Sequence, residues 1–275
     1  MSHRCLMSRR RLLSALIAAT FITTPSQFAL AAPSPAAPRA QPSLHVERRR
    51  PTDFVDLHAI APTVVIEIRY AGSHNFIGRP IPGYDAPRCL LTRPAADALA
   101  QVQRRLAPFE LSLKVYDCYR PQRAVDYFVQ WAADPADAAM VHEFYPRVDK
   151  SALLRDGYVA SPSSHSRGST VDLTIVPLAP AAPPTAARAY PLAPCYAPVS
   201  QRATDNSLDM GTAFDCFDAM AHLDAAGLDP AQRAHRMLLA TVMGDAGFVG
   251  YRYEWWHFTL RPEPYPAAWF DFPVN

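Results

Sequence analysis

Apolar and polar residues alternate with a period of two at three places along the chain. In Val64–Tyr70, Ile66, Ile68 and Tyr70 share one face while Glu67 and Arg69 share the other, the pattern of a half-buried strand. Leu111, Leu113 and Val115 alternate with Ser112 and Lys114 and run into Asp117; Val171, Leu173 and Ile175 alternate with Asp172 and Thr174. Helical spacing fills the intervals. Thr92 stands where a cap would, with Pro94 in the first turn and Leu99, Val102 and Leu106 on the apolar stripe. Pro121 opens a second helix with Ala124, Val125, Phe128 and Ala132 on one side. Asp229-Pro230 starts a third through Met237, Leu238, Thr241 and Val242, and Gly247 stops it. The aromatic stretch Phe248–Leu260 reads as a last strand or hairpin. Helices and strands are interspersed, and no Gly-rich phosphate loop is present. The pattern predicts an α+β fold, a single domain with a central antiparallel sheet flanked by helices.

The first residues follow a different logic. Arg4 and Arg9-Arg10-Arg11 give a basic start, Leu12 to Ile22 is apolar, and Ala29-Leu30-Ala31 has the small-x-small form of a cleavage site. The apolar run is shorter than the ~20 residues a spanning helix needs. Residues 1–31 are therefore expected to be a cleaved export signal. The Arg9-Arg10 pair suits the twin-arginine route and an ordinary Sec signal alike. No lipobox precedes the cleavage site, so an exported, periplasmic or secreted protein is expected, without membrane insertion after cleavage. Losing four arginines turns the formal charge of +2 into −2, which leaves no electrostatic case for nucleic acid as a partner. Residues 32–52 are rich in Pro and Ala and end in Arg48-Arg49-Arg50-Pro51, a flexible lead-in. Residues 53–275 are long enough for one domain with a sizeable core. Seven prolines from Pro177 to Pro198 mark a loop within it.

Cys5 leaves with the signal, and Cys89, Cys118, Cys195 and Cys216 remain. In an oxidising compartment an even number suggests disulfides. Cys195–Cys216 is favoured because it would tie down the Pro-rich loop; Cys89 and Cys118 could pair or stay as buried thiols.

The chemistry concentrates in two segments, Ser163-Ser164-His165-Ser166-Arg167-Gly168-Ser169-Thr170-Val171-Asp172 and Glu254-Trp255-Trp256-His257. They supply two imidazoles, one carboxylate for a metal and one carboxylate left over. A catalytic zinc site needs that set: three protein ligands, an open position for water and a general base. Gly168 lets the turn fold back so that His165 can face Asp172. Alone, this pair also fits an Asp–His hydrogen bond that merely orders a loop. Glu254 and His257 would point to opposite faces of a regular strand, so a bend or strand end must bring them together. Alone, they also fit a sheet-face glutamate and a core histidine. Trp255 and Trp256 read as packing residues. Arg120 sits between a strand end and a helix start, where it could stabilise an oxyanion or cap its own turn.

Together these segments resemble the VanX-type D-alanyl-D-alanine dipeptidases, zinc peptidases related to the D,D-carboxypeptidases that share Ser-x-His-x-x-Gly-x-x-x-Asp and Glu-x-x-His. The likeness runs in order from Ile66 to Asp271 through Tyr70, Asn75-Phe76-Ile77-Gly78, Gly83-Tyr84, Asp117-Cys118-Tyr119-Arg120-Pro121, Gln130-Trp131-Ala132-Ala133, Gly157-Tyr158-Val159-Ala160-Ser161, Met210-Gly211-Thr212-Ala213-Phe214-Asp215 and Glu263-Pro264-Tyr265-Pro266. It implies one Zn2+ per chain with His165, Asp172 and His257 as ligands. It further implies Glu254 as general base, Arg120 as stabiliser of the tetrahedral intermediate, and Tyr70, Ser163 and Asp215 as the residues that hold the substrate's amino group. The implied reaction is hydrolysis of the small dipeptide D-Ala-D-Ala to two D-alanines by metal-activated water. Two other readings stand beside it: a D,D-carboxypeptidase or endopeptidase acting on peptidoglycan stems, and a catalytically silent zinc-containing binding domain. The Pro-rich loop is longer than the family leads one to expect. Export shifts the role toward turnover of wall-derived dipeptide. Oligomeric state leaves no trace in the sequence.

Overall fold

The strand patterns assemble into one five-stranded sheet. In the computed structural model, which describes residues 44–178, 193–203 and 205–275, its strands are β1 (Val65–Ile66), β2 (Leu111–Asp117), β3 (Thr170–Pro177), β4 (Phe248–Tyr251) and β5 (Glu254–Leu260). They lie in the order β1-β2-β3-β5-β4. β1 runs parallel to β2, and the other pairings are antiparallel. The central strand β3 is buried along almost its whole length. Three longer helices accompany the sheet: α1 (Arg93–Leu106), α2 (Gln122–Ala133) and α3 (Pro230–Gly244). The α+β class is the one the alternation predicts, with a single parallel edge strand added to the antiparallel sheet.

The first strand is shorter than its alternation suggests. The chain stays beside β2 until Glu67 N donates to Val115 O, then enters a 3-10 turn over Arg69–Ala71. Arg69, expected on the outer face, is buried: its guanidinium lies over the Tyr116 ring and pairs with Glu67 and Asp205. The turn carries Tyr70 into the interior, toward Asp215.

Thr92 precedes α1, but its hydroxyl makes no cap; it shares a hydrogen bond with Ser169 Oγ at 2.7 Å. α3 begins as expected, with a full capping box between Asp229 and Gln232. Its buried residues are Arg236, Leu239 and Met243, while Leu238 and Val242 are only partly covered and Met237 is 64% exposed. The apolar stripe of α3 is thus rotated from the expected one, because Arg236 turns inward to donate to the carbonyls of Met210, Met220 and His222.

The last aromatic stretch is a hairpin, β4–β5. Cys195 pairs with Cys216, as the loop argument favours, and Cys89 pairs with Cys118. Within the stretch expected as lead-in, Val46–Glu47 forms a short parallel pair with Trp269–Phe270. The expected signal, residues 1–31, and most of the Pro-rich loop lie outside the described residues. Among the described residues no helix is long and apolar enough to cross a membrane.

Candidate metal centre

Strand register builds the floor of the site. Asp117 on β2 faces Asp172 on β3, and Asp172 faces His257 on β5. Neighbouring strands lie about 4.8 Å apart, so these three side chains form a row across the sheet. His165 approaches the row from a 3-10 turn, Ser164–Arg167. Ser163 caps that turn, its Oγ accepting from His165 N at 3.3 Å. Gly168 ends the turn in left-handed backbone at φ 79°, and a Cβ there would lie 2.2 Å from the Phe54 ring.

Glu254 joins His257 through a break in the ladder. Gly250 pairs with Phe258, but Tyr251 pairs with Glu254, so three residues of β5 bulge between successive pairings. That local break supplies the bend the Glu-x-x-His spacing requires.

Three ligand atoms form a near-equilateral triangle. His165 Nε2 is 3.2 Å from His257 Nδ1 and 3.3 Å from Asp172 Oδ1, and His257 Nδ1 is 3.1 Å from Asp172 Oδ1. Ligands at bond lengths of about 2.0–2.2 Å in tetrahedral geometry stand about 3.3–3.6 Å apart, so the triangle, at 3.1–3.3 Å, is at or slightly inside the spacing of a metal-ligand set. Hydrogen bonding points the same way. His165 Nδ1 donates to Cys118 O at 2.7 Å, shorter than its 3.4 Å approach to Asp117, which leaves a lone pair on Nε2. His257 Nε2 lies 3.3 Å from Ser164 Oγ, a contact that turns Nδ1 inward. Asp172 Oδ1 is buried and accepts no hydrogen bond of good geometry. Three lone pairs directed at one point repel one another unless a cation lies between them. Together, these residues fit a divalent metal.

Around the triangle the titratable groups are mostly acidic. Burial, with Asp172 and Asp215 nearby, pushes the Glu254 carboxyl well above its usual range. Asp215 is raised in the same way, by burial first and then by Asp172. Burial also works against the Asp172 carboxylate, but the two imidazoles hold it below its ordinary value. The His257 imidazole is lowered, chiefly by burial. Glu254 Oε2 stands 3.5 Å from His257 Nδ1 and lines the same cavity.

Arg120 is clamped beside the row. Its Nε and Nη2 donate to Asp117 Oδ2 at 2.9 and 2.8 Å, and Nη2 is 3.6 Å from Asp172. Its guanidinium also lies against the rings of Tyr70 and Phe128, 5.1 Å from each centroid. Further along, Tyr70 OH reaches both Asp215 oxygens at 3.0 and 3.2 Å. All eight residues singled out from the sequence line one cavity of about 360 Å3. Ser163 is among them, although its hydroxyl is engaged by the His165 amide. Trp255 and Trp256 lie in the core, as expected, with Trp255 Nε1 donating to Thr212.

Two groups had no assigned role in the sequence. Asp117 is fully buried, accepts from Tyr84 OH at 2.6 Å and anchors Arg120. The Cys118 carbonyl orients His165. An aspartate at the end of an apolar strand marked the position of the first but not its role, which comes from strand register; a backbone carbonyl leaves no mark at all.

Comparison with known proteins is consistent with this geometry. The peptidase M15 family described as D-Ala-D-Ala dipeptidase matches residues 50–181 and 177–275. The D-alanyl-D-alanine dipeptidase of Enterococcus faecalis is 37% identical over 222 residues, covering 81% of this chain and 98% of that protein. Those of Streptomyces coelicolor and Escherichia coli are 35% and 33% identical over 81% and 76% of this chain, and 98% and 85% of theirs.

Proposed function

The chain belongs to the peptidase M15 family of D-Ala-D-Ala dipeptidases, and on that premise we propose that it is a zinc-dependent hydrolase that splits D-Ala-D-Ala into two D-alanines. The observation that carries the proposal is the convergence of His165, Asp172 and His257 with Glu254 alongside. A zinc ion held by those three residues would make water acidic enough to lose a proton near neutral pH and would polarise the scissile carbonyl.

The chain's own residues do the rest. Glu254 accepts the proton of the attacking water and returns it to the leaving amine. Its Oε2 stands 3.5 Å from His257 Nδ1, within reach of a water at the ligand triangle for both transfers. Arg120 offers its guanidinium to the negative charge that develops on the carbonyl oxygen. Asp117 and the Tyr70 and Phe128 rings hold it so that it need not reorganise. Asp215, with Tyr70 and Ser163, takes the substrate's ammonium. Asp215 lines the cavity and is 4% exposed. A buried acid at the amino side favours a dipeptide, with its free ammonium, over a stem peptide, whose nitrogen at that place is an uncharged amide. Glu254 and Arg120 argue for catalysis over mere binding, since a binding domain needs neither.

The same reading includes export. The basic start followed by an apolar run supports it, and two disulfides are bonds that an oxidising compartment sustains.

Three substrates test the function together: D-Ala-D-Ala, its N-acetyl derivative and a stem pentapeptide, each assayed for free D-alanine with and without chelator. Cleavage of the free dipeptide alone, abolished by chelator, is expected. Cleavage of the pentapeptide would transfer the assignment to a carboxypeptidase, and no release from any substrate would favour a silent binding domain.

A further inference from the structure

Each disulfide among the described residues ends beside one half of the proposed site. Cys118 lies between Asp117 and Arg120, and its carbonyl accepts the Nδ1–H of His165 at 2.7 Å. The next amide, Tyr119 N, donates to Leu90 O at 2.9 Å, so the backbone reinforces the Cys89–Cys118 bridge. Arg120 N in turn donates to His165 O at 3.4 Å. One bridge therefore ties down both the carbonyl that orients a metal ligand and the turn that presents Arg120.

The second bridge serves the other end of the cavity. Cys216 directly follows Asp215, whose backbone is left-handed at φ 58°. A non-glycine residue holds that conformation only where its surroundings impose it. Ala213 N donates to Cys195 O and Cys195 N donates to Glu143 O, both at 2.8 Å. On the far side Phe217 N donates to Phe144 O, also at 2.8 Å. The turn bearing Asp215 is thus pinned on both flanks to the bridge and its neighbours. All four half-cystines are at most 1% exposed.

We propose that the two disulfides are positioning devices with separate targets: Cys89–Cys118 fixes metal binding and turnover through His165 and Arg120, and Cys195–Cys216 fixes substrate binding through Asp215. The proposal rests on the dipeptidase reading and adds oxidation as the step that completes the site. A bridge serving stability alone would change the unfolding temperature and leave the folded enzyme's constants untouched.

The test compares the full-length variants C89A/C118A and C195A/C216A with the oxidised wild type, by zinc competition against a chromophoric chelator and by steady-state hydrolysis of D-Ala-D-Ala. The first variant keeps the carbonyl of residue 118 but frees it to move, so it is expected to bind zinc about tenfold more weakly, the low end of the effect of losing an outer partner of a ligating histidine. Its kcat should fall at saturating zinc with KM little changed. The second should keep its zinc affinity and raise KM about tenfold, the signature of lost substrate binding. If a variant does not fold, wild type is reduced with a phosphine and assayed without alkylation, in the absence of oxygen. The phosphine takes oxygen from water, and each S–S bond becomes two thiols. The reduced protein should retain its far-UV circular dichroism while losing both zinc affinity and substrate affinity. Unchanged constants in both variants, the same change in both, or complete unfolding on reduction would overturn the proposal. Failure of oxidised wild type to cleave D-Ala-D-Ala would instead sink the dipeptidase reading, while the zinc competition would still judge the first bridge.

Discussion

Removing the Glu254 carboxylate leaves the three converging ligand atoms in place. Glu254→Ala should therefore bind zinc like wild type while kcat falls about 10²–10⁴-fold, the range for a lost general base. Metal analysis and D-alanine release check this, and wild-type turnover would contradict the role. His257→Ala removes a lone pair from the triangle and should lose the metal itself. Arg120→Lys keeps the charge but not the fork on Asp117 or the stacking on Tyr70 and Phe128. We expect kcat to drop about 10²–10³-fold with zinc content unchanged; a change in zinc content alone would refute it. At this scale the sequence was legible where chemistry has a residue type and a spacing. His165, Asp172, Glu254 and His257 stand out that way. Asp117 and the Cys118 carbonyl do not, because their roles come from strand register and from backbone that any residue carries.

The elements explain why these residues meet. Alternation gave β2 and β3 correctly, but not the pairing that sets Asp117, Asp172 and His257 in one row. It also implied a longer first strand and an outward Arg69, and tertiary charge pairing overrode both. Arg69, Lys114 and Tyr116 all converge on Asp205. Burial works against that carboxylate, yet Arg69 and Lys114 hold it below its ordinary pKa. Its stabilising contribution is therefore complete above the ordinary carboxyl value, about 3.9, and is lost as pH falls below it. Asp205→Asn should cost about 2 kcal/mol near pH 7 and distinctly less near pH 3 in urea unfolding. An equal deficit at both pH values would contradict this. Gly168 is the second point where an element depends on one residue. Phe54, which a Cβ would strike, is wedged among Tyr119, Phe270 and Phe272. Gly168→Ala should destabilise by about 3 kcal/mol, or about 6–12 °C in Tm. A thermal melt within a degree of wild type would show that the turn can relax.

Across the whole molecule, the chain's net charge and the character of its site have different origins. The formal +2 depends on arginines in residues 1–31, whereas the cavity is lined by Asp172, Asp215 and Glu254, with Asp117 behind Arg120, and its other two arginines, Arg167 and Arg261, are paired with Glu263. That imbalance suits a divalent cation together with a substrate ammonium, and it makes the metal the hinge of the account. The direct measurement is a titration of metal-free protein with zinc while D-alanine release from D-Ala-D-Ala is recorded. Activity should climb linearly and stop at one zinc per chain, with two D-alanines formed for each dipeptide consumed. Full hydrolysis by the metal-free chain, or none at any zinc level, would contradict it.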